Sequence, residues 1–379
     1  MIRLFKKRIS LFVWLGLISV IAQAAPPPLA PLAAKAYVLM DFHTGMVIAA
    51  KDADVPLEPA SLTKMMTTYV VEKELRAGHI RLTDEVKISK RAWLMGGSRM
   101  FIEVGKNIAL QDLLHGVIVH SGNDASVALA EYVSGTEEAF VELMNKTAAE
   151  LDMRTTHFMN ATGLPQANHF SSAADLARLG QAIIRDFPEH YAWYSEKEYT
   201  FNRIKQLNRN RLLFEVESVD GIKTGHTDTA GYCIALSAAR DTMRFVGVIL
   251  GTKSESARIM EGKKMLNYGF QYYETHKIYS ARQPVANLRV WKGAADSLAV
   301  GVEQDFYITY PRGEYGRLIS KANIDKRVMA PVARGQVLGN ISIILDKQVL
   351  VTRDLAALND VRSGGMIGNA FDDLRLVLE

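Results

Sequence analysis

The stretch Pro59-Ala60-Ser61-Leu62-Thr63-Lys64 begins a segment in which apolar residues recur at three- and four-residue spacing. A proline followed by this spacing predicts a helix with Ser61 in its first turn. Residues three positions apart lie on one helix face, so the Lys64 amine can reach the Ser61 hydroxyl. The free N–H groups and positive potential of a helix start would stabilise an oxyanion formed beside them. One S-x-x-K pattern is expected about once by chance in a chain of this length, so it needs support from other motifs.

Two further polar motifs follow along the chain. Ser121-Gly122-Asn123 separates two apolar helical stretches, where a turn either presents both polar side chains to a cleft or simply ends a helix. Lys223-Thr224-Gly225 lies at the end of a predicted strand. Because Gly225 has no Cβ, a ligand backbone can lie against the strand edge, while the lysine and the threonine supply a charge and a hydroxyl.

The segments around these motifs predict an α+β fold. Short apolar runs between turn residues predict strands, and the spacing from residue 57 to 178 is mainly helical. The predicted strands are Ala36–Met40, Met46–Ala50, Val219–Thr224, Tyr232–Ala239 and Arg244–Leu250, and a closing helix follows between Glu255 and Glu274. For residues 36–277 we therefore expect an antiparallel sheet with flanking helices and a helical lobe.

Beyond the closing helix, short strands and turns predict a small β-rich domain over residues 278–362. In the tail, 363–379, a helix would place four apolar side chains in a stripe about 60° wide. These side chains are Ile367, Phe371, Leu374 and Leu378. The tail is net acidic and lacks Trp, whereas helices that lie on membranes usually carry Lys, Arg and aromatic rings. It is therefore compatible with membrane docking and with ordinary packing or fraying.

The N-terminus has the order of a secretory signal peptide: basic residues, an apolar run from Ile9 to Ile21, and small residues before a Pro/Ala linker at 25–35. As a helix the apolar run would rise about 20 Å, less than the ~30 Å hydrocarbon core. We expect residues 1–24 to be cleaved, with an uncleaved anchor as the alternative.

Cys233 is the only cysteine, which excludes an internal disulfide, and its apolar neighbours predict a buried strand residue rather than a nucleophile.

The net charge of +4 does not indicate a nucleic-acid-binding protein. Four of the 45 Lys and Arg residues lie within the first 24 positions, which contain no acid, and the others equal the 41 Asp and Glu in number. These four are Arg3, Lys6, Lys7 and Arg8. The mature chain is thus neutral and lacks the basic excess that binding to a polyanion requires.

The order S-x-x-K, S-x-N and K-T-G, on a helix, a loop and a strand, matches the motif set of active-site serine enzymes that recognise penicillin. Four further segments support this match: His120–Ala125, Thr156–Phe158, Gln206–Asn210 and Val219–Gly231. Over nearly its whole length the chain resembles the low-molecular-mass penicillin-binding D-alanyl-D-alanine carboxypeptidases of the bacterial periplasm. The resemblance implies a penicillin-recognising transpeptidase/β-lactamase-like domain followed by a small β-rich C-terminal domain.

This resemblance also implies a function. The protein is expected to remove the C-terminal D-alanine from peptidoglycan pentapeptide stems through a serine acyl-enzyme, and so to trim the cell wall. β-Lactam antibiotics would bind covalently as inhibitors. No cofactor and no metal are implied. The expected location is the periplasm, with the tail as a candidate tether to the outer face of the inner membrane.

In the expected mechanism, Ser61 Oγ attacks the carbonyl of the last peptide bond and Lys64 is the general base. A lysine with an ordinary pKa near 10.4 is neutral about once in 2,500 at pH 7, so burial and the like charge of Lys223 have to lower the Lys64 pKa. Ser121 would relay the proton to the leaving amine, and Asn123 would hold the substrate amide.

The terminal carboxylate of the substrate is expected to bind Lys223 and Thr224, together with Arg209, which explains why the last peptide bond is the one cleaved. Backbone N–H groups of Ser61 and His226 would form the oxyanion hole. The expected substrate-binding residues are therefore Lys223, Thr224, Gly225, His226 and Arg209. The neighbouring bases Arg203, Lys205 and Arg211 are expected on a solvated face.

Three rival functions fit the sequence less well. A serine β-lactamase of class A needs a Glu about 35 residues after its S-D-N motif, whereas residues 153–165 contain no acid and Gly122 replaces the Asp. A non-catalytic wall-binding or morphology protein would not need the intact serine, lysine and asparagine set. Metal-dependent hydrolysis is disfavoured because no H-E-x-x-H motif exists and His115 and His120 have the wrong helical spacing.

Overall fold

The structure, a computed structural model, describes residues 26–325, 327–365 and 372. The predicted signal peptide lies outside these residues, as does the predicted tail apart from residues 363–365 and Asp372.

The strands of the first domain are β1 (Ala36–Asp41), β2 (Val47–Lys51), β3 (Glu85–Lys87), β4 (Asn107–Ala109), β5 (Glu198–Phe201), β6 (Ile204–Leu207), β7 (Val219–Thr227), β8 (Gly231–Arg240) and β9 (Met243–Thr252). Its helices are α1 (Lys64–Arg76), α2 (Lys90–Leu94), α3 (Leu110–Ile118), α4 (Asn123–Ser134), α5 (Glu137–Glu150), α6 (Ala173–Asp186), α7 (Pro188–Tyr191), α8 (Leu212–Glu215) and α9 (Glu255–Tyr272).

A five-stranded antiparallel sheet in the order β2-β1-β9-β8-β7 forms the centre of this domain. Side chains alternate between its two faces, as they do in any strand. On β1, Val38 and Met40 join the core shared with the helical lobe, whereas Tyr37 and Leu39 join the core that includes residues of α9. Because helices cover both faces, the central strands are almost continuously apolar. The predicted α+β class is confirmed.

The helical lobe, formed by α1 to α8, occupies the chain between β2 and β7. A single 3-10 turn, Ala60–Thr63, leads into α1, so Ser61 lies just before the α-helix rather than in its first turn. The edge strand of the sheet is β7, and it packs against this turn. The strand predicted to end at Thr224 continues to Thr227, which places Gly225 and His226 within β7.

The second domain contains β10 (Tyr273–Tyr279), β11 (Pro284–Trp291), β12 (Ser297–Gly301), β13 (Phe306–Pro311), β14 (Ile319–Ile324), β15 (Val328–Met329), β16 (Val337–Leu345) and β17 (Gln348–Ala357). Six of them form a sheet in the order β14-β16-β17-β12-β11-β15, and β10 pairs with β13. The predicted boundary at residue 277 falls inside β10, because pairing with β13 begins at Tyr273 while the composition changes only after the strand.

A buried carboxylate lies at the joint between the domains. Asp41 accepts a hydrogen bond from Thr44 Oγ1 (2.8 Å) beside β1 and another from Thr275 Oγ1 (2.7 Å) on β10. At the other end of the second domain, the Asp372 carboxylate accepts a hydrogen bond from the backbone N–H of Lys292 (2.7 Å). Within the described ranges, no helix combines the length and the apolar character needed to cross a bilayer.

Candidate active site

Ser61 and Lys64 lie together where the 3-10 turn passes into α1. Lys64 is completely buried, and its Nζ lies 3.0 Å from Ser61 Oγ. The three-residue spacing in the sequence predicts this proximity, because such residues share one helix face.

Two carbonyl oxygens complete the surroundings of the Lys64 amine. Nζ donates to Asn123 Oδ1 (2.7 Å) and to the main-chain oxygen of Thr162 (2.6 Å). Both oxygens can only accept hydrogen bonds, so the amine uses one N–H for each. A neutral amine then directs its lone pair towards the Ser61 hydroxyl, whereas an ammonium group fills all three contacts. The site therefore accommodates both protonation states of Lys64.

The electrostatic surroundings favour the neutral amine. Burial lowers the pKa of Lys64 to about 7; the charge of Arg209 lowers it too, and Asp124 opposes the shift. At neutral pH a large fraction of the amine is thus unprotonated. The expected effect of burial is present, and Arg209 is a further cation that lowers the pKa of Lys64.

The Ser121-Gly122-Asn123 segment forms the turn between α3 and α4. Ser121 is buried and has a left-handed backbone conformation (φ 61°). The side-chain amide of Asn123 has its oxygen on Lys64, and its nitrogen donates to the carbonyl of Gly96 (2.7 Å). The Asn123 amide thus holds Lys64, and because its NH2 group has two donors and Gly96 takes one, the predicted contact with a substrate amide stays compatible with this arrangement.

Asp124, which sequence reasoning did not single out, fixes a wall of the site. Its buried carboxylate accepts hydrogen bonds from the backbone N–H groups of Met100 (2.8 Å), Phe101 (2.9 Å) and Ile102 (3.2 Å). The neighbouring residue Ser98 lines the cleft. Asp124 lies inside the His120–Ala125 segment, but a single acid carries no motif of its own that would assign it this role.

Lys223 lies buried on the opposite side of the cleft, on β7. Its Nζ donates to the carbonyl of Thr224 (3.1 Å). Burial holds the pKa of Lys223 well below its ordinary value, and repulsion from Lys64, Arg209 and Arg258 lowers it further. This concentration of cations makes the site favourable for a carboxylate.

Gly225 allows β7 to approach the Ser61 turn. A Cβ at this position would lie 3.0 Å from the Ser61 nitrogen and 3.1 Å from the Pro59 oxygen, which is tighter than side chains ordinarily pack. The next residue, His226, has its ring 4.0 Å from that of Tyr232. The main chain of β7 therefore lies directly beside the main chain of the nucleophile turn.

These elements enclose a cleft of about 570 Å³. Its lining consists of Ser61, Ser98, Ser121, Gln206, Leu207, Asn208, Arg209, Arg211, Thr224, Gly225, His226, Tyr232, Glu255 and Arg258. Lys64, Asn123 and Lys223 are buried behind this lining. All nine predicted site residues therefore lie at one cleft, some on its surface and some directly behind it.

The predicted basic cluster divides between the cleft and the solvent. Arg209 and Arg211 line the cleft, and the Nε of Arg209 donates to the carbonyl of His120 (3.3 Å). Lys205 instead pairs with Glu198 on the β5–β6 hairpin. Other lining residues were not identified from the sequence, and Arg258 and Glu255 lie on α9, far along the chain from any recognised motif.

A loop of residues 158–169 crosses the start of α1 and contains no acid. The next acid, Asp175, is buried, and its carboxylate accepts from the Thr155 backbone N–H (2.8 Å) and pairs with Arg178 (2.6 Å). The loop thus offers no carboxylate that could activate water. Among the residues that the structure describes, no cluster of three or more His, Cys, Asp or Glu could hold a metal ion.

Comparison with known proteins gives two family matches. Residues 21–254 match a family described as D-alanyl-D-alanine carboxypeptidase. Residues 273–363 match a family described as the C-terminal domain of penicillin-binding protein 5. The two matches lie on either side of α9 (Glu255–Tyr272), which leads from the first domain to the second.

Individual proteins give the same result. The D-alanyl-D-alanine carboxypeptidase DacA of Escherichia coli K12 is 40% identical over 359 residues, which is 93% of this chain and 89% of that protein. The crystal structure of penicillin-binding protein 5 from Haemophilus influenzae superposes with a TM-score of 0.84 at 42% identity, covering 90% of this chain and 100% of that one. Penicillin-binding protein D2 of Listeria monocytogenes, in its cefotaxime-bound form, covers 64% of this chain and 100% of its own, at 27% identity and a TM-score of 0.60.

Proposed function

The chain belongs to the D-alanyl-D-alanine carboxypeptidase family of serine peptidases, and we propose that Ser61 is its nucleophile and Lys64 its general base. The enzyme acts on peptidoglycan stem peptides that end in D-Ala-D-Ala, and it binds penicillin. The expected family and function are thereby confirmed. The proposal concerns which residues of this chain perform each step.

Acylation begins at the Lys64–Ser61 pair. Ser61 Oγ attacks the carbonyl carbon of the last peptide bond while its proton passes to the neutral Lys64 amine. The tetrahedral oxyanion accepts hydrogen bonds from the backbone N–H groups of Ser61 and His226. The C–N bond then breaks, and the terminal D-alanine leaves as an amine protonated through Ser121. Water hydrolyses the resulting ester and releases the shortened stem.

The observation that carries this assignment is the environment of Lys64 Nζ. Its two carbonyl partners and its buried position leave the Ser61 hydroxyl as the one contact that can donate a proton to the amine. With the pKa of Lys64 at about 7, the amine is a competent base at neutral pH. Asn123 acts as a positioning residue for this amine.

Recognition of the substrate end uses the cationic side of the cleft. The terminal carboxylate binds at Thr224 and Arg209, within the field of the buried Lys223. A charge-assisted contact of this kind forms only when the cleaved bond is the last one in the peptide. This requirement accounts for carboxypeptidase rather than internal cleavage.

We also propose a periplasmic location and a contact with the inner membrane through the tail. The basic and apolar order of residues 1–24 supports export. The apolar stripe of the tail supports peripheral contact, although its acidic character weakens attraction to anionic lipids. Deleting residues 364–379 and measuring sedimentation with vesicles tests the contact. Equal sedimentation of both proteins would exclude it.

The central experiment is Ser61→Ala in the purified enzyme. D-Alanine release from a synthetic pentapeptide and covalent labelling by fluorescent penicillin should both be lost, while the melting temperature stays near that of the wild type. Covalent labelling of the variant would overturn the nucleophile assignment. In the wild type, penicillin should give a burst of acylation without sustained turnover, because the 158–169 loop supplies no carboxylate to activate water.

A further inference from the structure

The two ends of the 158–169 loop lie close together, and the tip of the loop is hydrogen-bonded to α1. A bridge between His157 and Phe170 brings the two ends of the loop together, as in other compact surface loops. At the tip, the carbonyls of Thr162 and Ala161 accept hydrogen bonds from Lys64 Nζ (2.6 Å) and Thr67 Oγ1 (2.7 Å). The position of this loop thus determines where the Thr162 carbonyl lies relative to the base.

One buried histidine joins this loop to the nucleophile turn. His169 is only 4% exposed, and its Nδ1 accepts a hydrogen bond from the backbone N–H of Met159 (3.2 Å). In a neutral ring the proton must then reside on Nε2, which lies 2.8 Å from Thr63 Oγ1 and donates to it. The two contacts fix both the tautomer and the orientation of the ring.

We propose that His169 is a positioning residue for the reaction of Ser61, because its neutral ring couples Thr63 to the 158–169 loop and so holds the Thr162 carbonyl against Lys64. Thr63 directly precedes Lys64, and Met159 lies three residues before Thr162. The ring therefore connects the two segments that supply the amine and its acceptor. This inference rests on the proposed roles of Ser61 and Lys64.

The packing around the ring leaves little freedom for either segment. A Cβ on Gly163, next to Thr162, would lie 1.8 Å from the Ala60 oxygen and 2.9 Å from Thr63 Oγ1. The loop main chain is thus pressed directly onto the turn that carries the nucleophile. Since misplacement of a catalytic group by about 1 Å can reduce the rate about 10²-fold, small movements of this loop are significant.

The charges facing His169 require the neutral ring. Burial, together with the charges of His157 and Lys64, lowers the pKa of His169 to about 4. A protonated ring would lose the contact with the Met159 N–H, because both nitrogens would then be donors. It would also place a second cation beside Lys64. Coupling between the loop and the turn therefore persists at neutral pH.

Two pairs of variants test the coupling. His169→Leu and Thr63→Val remove the bond, whereas His169→Gln and Thr63→Ser keep a donor and a hydroxyl at the same places. We expect the first pair to lower kcat for D-alanine release about 10- to 100-fold with little change in KM, and the second pair to stay within about threefold of the wild type. The double variant His169→Leu/Thr63→Val should lose no more of kcat than the slower of the two single variants.

The pH profile separates positioning from a general structural role. Loosening the loop admits water to Lys64, which reduces the burial that lowers its pKa, so the rising limb of kcat/KM should move to higher pH in the first pair. The other charged groups that interact with Lys64 are unchanged in every variant; they are Arg209, Asp124 and Lys223. His157→Gln, at the exposed base of the loop, should retain the wild-type profile.

The outcomes are distinct. If His169→Leu and Thr63→Val melt at a lower temperature but keep the kcat and the pH profile of the wild type, the hydrogen bond between His169 and Thr63 is only structural. A Gln variant as slow as the Leu variant would exclude the Thr63 contact as the relevant one. Penicillin labelling of Ser61→Ala would instead reject the proposed function itself, so failure of the mechanism and failure of this inference give different results.

Discussion

The backbone nitrogen of Ser61 lies 3.0 Å from the point that a Cβ of Gly225 would occupy. The nucleophile turn and the edge strand β7 therefore approach each other closely, with the Ser61 nitrogen, the Pro59 oxygen and the Ala60 Cβ all near this point. The geometry of the proposed oxyanion hole, which uses one N–H from each segment, depends on this close approach.

We expect Gly225→Ala to lower kcat/KM for D-alanine release about 10²-fold. The methyl group would push β7 away from the turn and weaken one oxyanion-hole donor, and loss of one such donor typically costs 10²–10³ in rate. Gly316→Ala is a matched control, because no atom lies within 4 Å of its added methyl group and its φ is not left-handed. Equal kcat/KM for both variants and the wild type would contradict this role of Gly225.

Lys64→Arg should abolish most of the activity at every pH. Arginine remains protonated and cannot accept the Ser61 proton, so acylation by penicillin should fall about 10²- to 10⁴-fold. In the wild type, activity should rise as the pH increases through about 7, because the unprotonated amine is the active form. Lys73→Arg, whose lysine pairs with Glu150 (2.5 Å) further along α1, is the control. A wild-type rate in Lys64→Arg would exclude the lysine as base.

Arg209→Gln should weaken recognition of the terminal carboxylate. A hydrogen bond to a charged group contributes about 1.5–3 kcal/mol, so kcat/KM should fall about 10- to 100-fold for a peptide ending in a free carboxylate. With the same peptide ending in a carboxamide, kcat/KM of the variant and of the wild type should differ less than about threefold. Lys205→Gln, on the neighbouring hairpin, should affect neither substrate. An equal loss for both peptides would assign Arg209 a role other than carboxylate binding.

The unfolding free energy should depend on His169 between about pH 4 and pH 6.5. In this range the unfolded chain binds a proton at His169 that the folded chain excludes, since the pKa of His169 is lowered to about 4. The stabilisation is complete above pH 6.5 and is lost as the pH falls towards 4, with a total on the order of 3 kcal/mol. Urea unfolding of the wild type and His169→Gln across this range should give curves whose difference shrinks on acidification. Parallel curves would contradict this dependence of the unfolding free energy on His169.

Cys233 should not react with thiol reagents in the folded enzyme. The thiol is fully buried on β8, and burial raises its pKa to about 11, so almost no thiolate is present at neutral pH. Absorbance measurements with an aromatic disulfide reagent should detect no free thiol before denaturant is added and one afterwards. Rapid labelling with loss of activity would indicate that the sequence reading of this cysteine as inert is wrong.

The three motifs could be predicted from the sequence because each is local. Ser61 and Lys64 are one turn apart, and Lys223 and Gly225 share one strand, so spacing alone indicates which groups lie together. The strands of the central sheet were predictable for the same reason, since burial on both faces produces apolar runs such as that of β8. Placing the three motifs at one cleft depended on their order and on the family resemblance.

Other parts of the site depend on contacts that no sequence pattern records. The Thr162 oxygen that accepts from Lys64 is a main-chain group, identical in every residue, and it lies 98 positions away. The amide nitrogen of Asn123 donates to the Gly96 carbonyl, 27 positions earlier in the chain, and this main-chain contact has no sequence signal either. Such pairings arise from the packing of the loops, and the sequence alone could not predict them.

The edge strand β7 has a partner strand on one side only. A stem peptide lying extended along the free side would extend the sheet by one strand, held by main-chain groups that all amino acids share. Discrimination would then be concentrated at the two terminal D-alanines, and the side chain of the preceding residue would matter little. Stems of different composition would be shortened at similar rates, which suits an enzyme that works on a heterogeneous polymer.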